Sequence, residues 1–259
     1  MRIAVLVKYV PDAAGDRHFT PIFTTERDAV QGLLCELDEY AIEQALQLVE
    51  TAGEGQVTVL TMGPDNAAPA LSRALSMGAD DAVHIVDDCL AGSDALATSL
   101  VLAAALARID ADLILTGMAS TDAGLSVIPA MVAERLSLPL LSFASALRVE
   151  GKYVTIRRDD DEATETITTT LPAVVSVTDR TGEARYPSFK GILAAKKKHI
   201  ERLSLAGLGI DPAQVGLLGA MTVMSSVSRT PSRAAGVKVL DEGSGGIQAA
   251  AYLAANGFI

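Results

Sequence analysis

Ile3–Val7 is an unbroken apolar run rich in Val, Leu and Ile, the pattern of a strand covered on both faces. It ends at Lys8-Tyr9-Val10-Pro11-Asp12, and a polar loop is expected from there to about residue 30. From Asp38 to Glu50, Ala41, Ile42, Ala45, Leu46 and Val49 recur at helical spacing, with Glu39, Glu43, Gln47 and Glu50 elsewhere. Val57–Thr61 reads as the next strand, closed by Met62-Gly63-Pro64. The alternation then repeats: a helix over Asn66–Met77 stopped by Gly78, a strand over Ala82–Val86, and a long Ala/Leu helix over Ser93–Ile109 with Ser93 or Asp94 as N-cap. Leu113–Thr116 is a strand ending at Gly117, and Ser126–Leu136 a helix. Strands alternating with helices through short connections predict crossover units and a parallel sheet.

After Pro139 the period becomes two. Ala146–Val149 and Tyr153–Arg157 flank Glu150-Gly151-Lys152, a hairpin signal. Asp159–Glu162 reads as a turn, Thr164, Thr166, Thr168 and Thr170 alternate along another strand, and Pro172–Val177 is apolar. The expected fold class is α/β: a mainly parallel, doubly wound sheet, extended by antiparallel strands. Beyond about residue 203, glycines and prolines interrupt the chain too often for a second core, and only Ile247–Ala255 looks helical. The expected division is a domain over 1–202 and a C-terminal arm over 203–259 that lies on the body or on another subunit. Gly243-Ser244-Gly245-Gly246 follows no clear strand and reads as linker.

The formal net charge is −11 and is unevenly spread: residues 1–150 hold 21 acidic and 8 basic side chains, residues 151–259 hold 11 and 13. An acidic body repels phosphate backbones, which argues against nucleic-acid binding. Two cysteines without a Cys-x-x-Cys, and no His cluster, fit a reducing compartment and exclude a recognisable zinc motif or disulfide framework. The first residues read as a strand and not as a charged, apolar leader, and no stretch reaches transmembrane length. The expectation is a cytoplasmic protein with no membrane insertion.

In an open parallel sheet, ligands bind beyond the carboxyl ends of the strands, where the winding direction reverses. Three such ends carry unusual residues: Lys8-Tyr9, Thr61-Met62-Gly63, and Thr116 followed by Gly117, Met118, Ala119, Ser120, Thr121, Asp122, Ala123 and Gly124. Glycines there let backbone N–H groups approach a ligand, and a helix starting near Ser126 favours an anion. Against this, Gly63 and Gly117 can be turn residues only. Neither G-x-x-x-x-G-K-[ST] nor G-x-G-x-x-G is present. His18, His84 and His199 are far apart, no G-x-S-x-G occurs, and Cys35 before a helix is either an activated thiol or, more simply, a small buried hydrophobe. A nucleotide-like pocket without a catalytic set suggests a carrier or regulator.

One window departs from the acidic background. Arg185–Arg202 holds six of the 21 basic residues and one acidic residue, with Tyr186, Pro187, Phe189, Ile192 and Leu193 at its head. It reads as a nucleic-acid patch, a helix with a lysine-rich outer face, or a docking segment for a protein.

Several stretches together resemble the beta subunit of electron-transfer flavoprotein, in its actinobacterial form. They are Ile3–Asp12, Asp38–Ala45, Ala74–Asp80, Leu171–Val175, Arg185–Lys198 with its Tyr-Pro-Ser-Phe-Lys-Gly-Ile-Leu-Ala-Ala-Lys-Lys-Lys sequence, and Arg233–Val239. The resemblance runs nearly end to end. It implies a heterodimer with an alpha subunit that holds most of an FAD at the interface, while the beta subunit binds AMP and performs no bond chemistry. Electrons would come from acyl-CoA and related dehydrogenases and leave through a quinone oxidoreductase towards the respiratory chain. By position, the AMP site would be the backbone around Leu6, the loop Cys35, Glu36, Leu37 and Asp38, Met62, and Gly117 through Leu125, Ser126, Val127 and Ile128. The Arg185–Lys198 stretch aligns with the family's recognition loop, with Phe189 as the anchor, Tyr186, Ile192 and Leu193 around it, and Lys196, Lys197 and Lys198 as steering charge. Gly191 would lend that loop mobility. The chain departs from the family pattern at Cys35 (often Asn), at Leu37 (an aromatic near the flavin) and at Asp122-Ala123-Gly124 (often an acidic run). A second FAD in place of AMP, as in electron-bifurcating relatives, stays open. The rivals are a stand-alone adenine-nucleotide regulator of universal-stress-protein type, which has no use for the arm, and an adenylate-processing enzyme, whose Ser-Gly-Gly-x-Asp-Ser loop is replaced by Lys-Tyr-Val-Pro.

Overall fold

The structure, a computed structural model, describes residues 1–16, 18–27, 30–228, 230–231, 235–236 and 238–259. It comprises two compact units, Met1–Ser225 and Ser226–Ile259. The Arg233–Val239 stretch, and the loop before residue 30, lie partly outside the described residues.

The chain opens with β1 (Arg2–Leu6), then a short antiparallel pair, β2 (Tyr9–Pro11) and β3 (Gly32–Leu34). Next come α1 (Glu36–Ala52), β4 (Gln56–Met62), α2 (Ala68–Met77), β5 (Asp81–Ile85), α3 (Ala95–Ile109), β6 (Leu113–Gly117) and α4 (Ile128–Leu136). The later elements of the first unit are β7 (Leu140–Ala144), β8 (Ala146–Glu150), β9 (Tyr153–Asp159), β10 (Thr164–Thr170), β11 (Ala173–Val177), α5 (Phe189–Ala195), β12 (Ile200–Leu203), α6 (Leu205–Leu208) and α7 (Gly216–Gly219). The second unit contains α8 (Gly245–Ala255).

Seven parallel strands form the central sheet in the order β12-β5-β4-β1-β6-β11-β7. Alternate residues of each strand point to opposite faces, which is why unbroken apolar runs were needed. Ile3, Val5, Val57, Val59, Leu113, Leu115 and Val175 pack with Ala41, Ile42, Ala45 and Leu46 of α1 and Leu71 and Leu75 of α2. Ala4, Leu6, Leu60, Ile85, Ile114 and Val174 pack with Val101 and Leu102 of α3 and Val132 of α4. The helix caps follow local chemistry: Asp94 accepts from the Ala97 amide at 2.9 Å, and Gly78 (φ 137°) donates to Ala74 and Leu75 at the end of α2.

The antiparallel strands do not extend this sheet. They form a separate three-stranded sheet, β10-β9-β8, in which Glu150 pairs with Tyr153 across the Gly151-Lys152 turn. The parallel sheet is completed instead by β11, β7 and β12. The loop expected from Asp12 to about residue 30 is flanked by the short antiparallel β2–β3 pair, which the sequence did not suggest. Residues 203–225, counted with the arm in the sequence, belong to the first unit, where Leu205, Ile210 and Val215 join the α3 side of the core. Gly245 and Gly246 are the first residues of α8 and not linker, with the Gly245 amide donating to Asp241 at 2.8 Å. Among the described residues, no helix is long and apolar enough to cross a membrane.

Candidate functional site

From β1 the chain winds outward through β4 and β5, then returns to place β6 on the other side of β1. The winding therefore reverses between β1 and β6, and the crevice beyond their carboxyl ends is the default ligand position of an open parallel sheet. Leu6 stands in register with Thr116 there.

Three segments meet at this point: the end of β1, the start of α1 and the loop after β6. Asp38, in the first turn of α1 and 6% exposed, accepts the Lys8 amide at 2.8 Å. Burial pushes its carboxyl up to about 7, against the opposing hydrogen bonds from the Lys8 and Gly117 amides. Lys8 gives its amide to Asp38 and its charge elsewhere: the ammonium lies 2.8 Å from Asp122 and 3.4 Å from Ser120 Oγ. Arg27 reaches the other Asp122 oxygen at 2.7 Å. Burial opposes ionisation of Asp122, but the Lys8 ammonium, hydrogen bonds from Lys8 and Ser120, and the Arg27 guanidinium outweigh it and hold the carboxyl far below the usual range. The trio carries one net positive charge.

Gly117 has a firmer role than a turn residue. A Cβ on it would meet Asp38 Oδ1 at 2.6 Å and the Leu37 carbonyl oxygen at 2.8 Å. The glycine lets the end of β6 approach α1, and the space the sequence suggested for a ligand is at this point filled by protein. Cys35 is fully buried, its thiol faces the Ala119 carbonyl at 3.9 Å, and burial pushes its pKa up, so it is the small hydrophobe and not an activated thiol. His84 is likewise a buried structural residue: its ring meets the Gly63 carbonyl at 3.1 Å, and burial lowers its pKa.

The site retains unused polar capacity. Among the described residues, Arg27 Nη1, Thr61 Oγ1 and Thr116 Oγ1 are buried without a hydrogen-bond partner. Helix α4 begins at Ile128, two residues later than expected, after Ser126 in a left-handed conformation (φ 56°). No side chain caps it, and the amides of Leu125, Ser126 and Val127 make no hydrogen bond among the described residues. Buried, unpartnered donors beside a helix N-terminus and a net positive trio are suited to an anionic ligand. Met62 packs on the same side of the sheet as Leu6. Of the positions singled out in sequence, the fold thus brings together Leu6, Cys35–Asp38 and Gly117–Asp122. Sequence inspection missed Arg27, which lay in an unstructured-looking loop with no motif around it.

A second surface lies on α5. Tyr186 is 88% and Phe189 77% exposed, with Ile192 and Leu193 about half exposed. The chain matches the electron transfer flavoprotein domain over residues 22–208. It is 44% identical to the electron transfer flavoprotein subunit beta of Mycobacterium tuberculosis strain H37Rv, covering 99% of both chains, and equally to that of Mycobacterium leprae. The corresponding protein of Megasphaera elsdenii is 33% identical over 93% of both.

The chain belongs to the electron transfer flavoprotein beta-subunit family.

The role in electron transfer follows from that membership. Within this family member, the α5 surface departs from the sequence expectation in two respects. Gly191 is not a mobile point: a Cβ there would meet the Ser76 carbonyl oxygen at 2.5 Å, so the glycine allows α5 to lie close against α2. Lys198 keeps its charge but is tethered, its ammonium donating to the Ala79 carbonyl. Lys190, Lys196 and Lys197 are the exposed basic residues beside the apolar group.

Proposed function

We propose that this chain pairs with an electron transfer flavoprotein alpha subunit, binds AMP beyond β1 and β6, and presents α5 to donor dehydrogenases. The reading is carried by likeness to beta subunits over 99% of the chain. It is a carrier subunit without bond chemistry of its own. FAD, held mostly by the alpha subunit at the interface, supplies the redox chemistry when bound. Acyl-CoA and related dehydrogenases donate the electrons, a quinone oxidoreductase receives them, and the cytoplasm is the setting.

The residues at the crevice fit an adenylate. Thr116 Oγ1 and Arg27 Nη1 are buried donors in need of an acceptor, and the free amides of residues 125–127 at the start of α4 suit a phosphate. Leu6, Cys35–Asp38 and Met62 supply apolar and backbone surface around them. In this assignment Lys8, Arg27 and Asp122 hold the loop in place and keep the field positive. On α5, Phe189 enters an apolar pocket of the dehydrogenase, with Tyr186, Ile192 and Leu193 around it, while Lys196 and Lys197 steer acidic partners at a rate that falls with salt. The arm packs on the alpha subunit: α8 buries none of its residues, and Ile247, Tyr252, Phe258 and Ile259 are all more than half exposed.

The test is the nucleotide content of the heterodimer. Chromatography of the acid-released cofactors should give AMP and FAD in equal amounts. FAD alone at two per heterodimer would replace AMP with a second flavin, and no nucleotide beyond one FAD would overturn the crevice assignment.

A further inference from the structure

Helix α5 fully buries no residue of its own: it lies against α2 at Gly191 and meets the core only through the partly buried Ala195, so apolar packing alone holds it weakly. The segment leading into it, where Ala184 is partly buried against the core and the Thr181 carbonyl accepts from Gln44 of α1 at 3.2 Å, is tied to α1 most extensively by one side chain. Arg185 donates from Nε to Glu43 at 2.7 Å and from Nη2 to the other Glu43 oxygen at 3.1 Å. Its Nη1 and Nη2 also reach the two oxygens of Glu50, at 2.6 and 2.9 Å, and its backbone amide donates to Glu43 at 3.1 Å. One guanidinium thus grips two carboxylates two turns apart on α1, and Glu43, 5% exposed, has little recourse to water. Four residues later comes Phe189, after Pro187, which stiffens the backbone, and Ser188, whose hydroxyl caps α5 by accepting from the Gly191 amide at 3.0 Å. A planar fork is needed for this grip. A lysine ammonium is a point charge and cannot span four oxygens.

We propose that Arg185 is a positioning residue for dehydrogenase docking: by bridging Glu43 and Glu50 it fixes the α1-to-α5 connection, and so holds Phe189 in a binding-ready place without touching the partner. This rests on the docking role assigned to Phe189. Released from α1, the segment must be ordered during binding, and two or three side chains ordered at that moment cost about a tenfold loss of affinity or more.

The experiment uses the alpha–beta heterodimer with a purified acyl-CoA dehydrogenase, reading kcat and KM for the dehydrogenase together with amide hydrogen exchange over Phe189–Ala195. Arg185→Ala should raise KM about tenfold with kcat retained and speed exchange in α5, and Arg185→Lys should rescue little. Glu50→Ala, at a side chain 58% exposed, perturbs folding least and should shift KM in the same direction. Arg185→Ala added to Phe189→Ala should raise KM little further. Wild-type KM in Arg185→Ala, with Phe189→Ala impaired, overturns the positioning role and leaves docking intact. An effect of Arg185→Ala with Glu50→Ala and Glu43→Gln both silent overturns it too, since Arg185 would then be touching the partner. A silent Phe189→Ala removes the docking role and this one with it.

Discussion

Replacing Phe189 by Ala separates docking from folding. The side chain is 77% exposed, and a phenylalanine offers about 200 Å² to bury. A partner pocket could therefore remove roughly 150 Å² from water, an upper limit of about 4 kcal/mol at 25 cal/mol per Å². Ordering of the segment and imperfect complementarity reduce this, and a hot-spot loss of about 2 kcal/mol is the expected net effect. That corresponds to a roughly thirtyfold weaker dehydrogenase interaction. The free heterodimer should be unmoved, because truncating an exposed side chain changes stability by about 0.5 kcal/mol at most. The assay is calorimetric or kinetic titration of the heterodimer with its dehydrogenase, alongside a thermal melt and the flavin absorbance. Equal dehydrogenase affinity in wild type and variant would refute the anchor role. A large fall in melting temperature would refute the inference that Phe189 does no work in the fold.

Further outcomes follow from the crevice. Gly117→Ala must push Leu37 or Asp38 away and should cost about 1–3 kcal/mol in urea unfolding; an unchanged midpoint would mean that α1 gives way freely. Thr116→Val removes a buried hydroxyl that lacks a partner, so the nucleotide-free protein should be no less stable while nucleotide retention falls; unchanged retention would remove Thr116 from the site. Asp38 has a raised carboxyl pKa, about 7 against 3.8, so it binds its proton more tightly folded than unfolded. Its stabilising contribution is complete below pH 4 and lost as pH rises through 7, by on the order of 4 kcal/mol. Asp38→Asn should flatten that slope in denaturation curves taken between pH 4 and 8. Asp122 has the opposite sign. Its carboxyl is held low, so its contribution is present above the usual carboxylate range and lost on acidification, and Asp122→Asn should blunt acid unfolding.

The parallel core was legible because strands buried on both faces leave unbroken apolar runs such as Ile3–Val7, and helices α1 to α3 leave clean stripes. β12 was not, since Ile200–Leu203 is an edge strand carrying Glu201 and Arg202 within a basic segment. The placing of β8–β10 was missed for a related reason: period-two alternation marks a half-exposed strand but says nothing of which sheet it joins. At the site, two of the strand ends singled out, those after β1 and β6, do meet in the fold. The meanings of Gly117 and Gly191 were hidden because a glycine that admits a neighbouring chain and one that admits a ligand look alike in sequence. The Arg185 grip joins residues more than 130 positions apart, beyond any local pattern.

The central claim, that this chain is one half of a flavin-bearing electron carrier, is tested most directly by co-expression with a candidate alpha subunit and a visible spectrum of the copurified complex. The account predicts a yellow heterodimer with oxidised-flavin absorption that bleaches when acyl-CoA and its dehydrogenase are added. A colourless chain that purifies alone would contradict it.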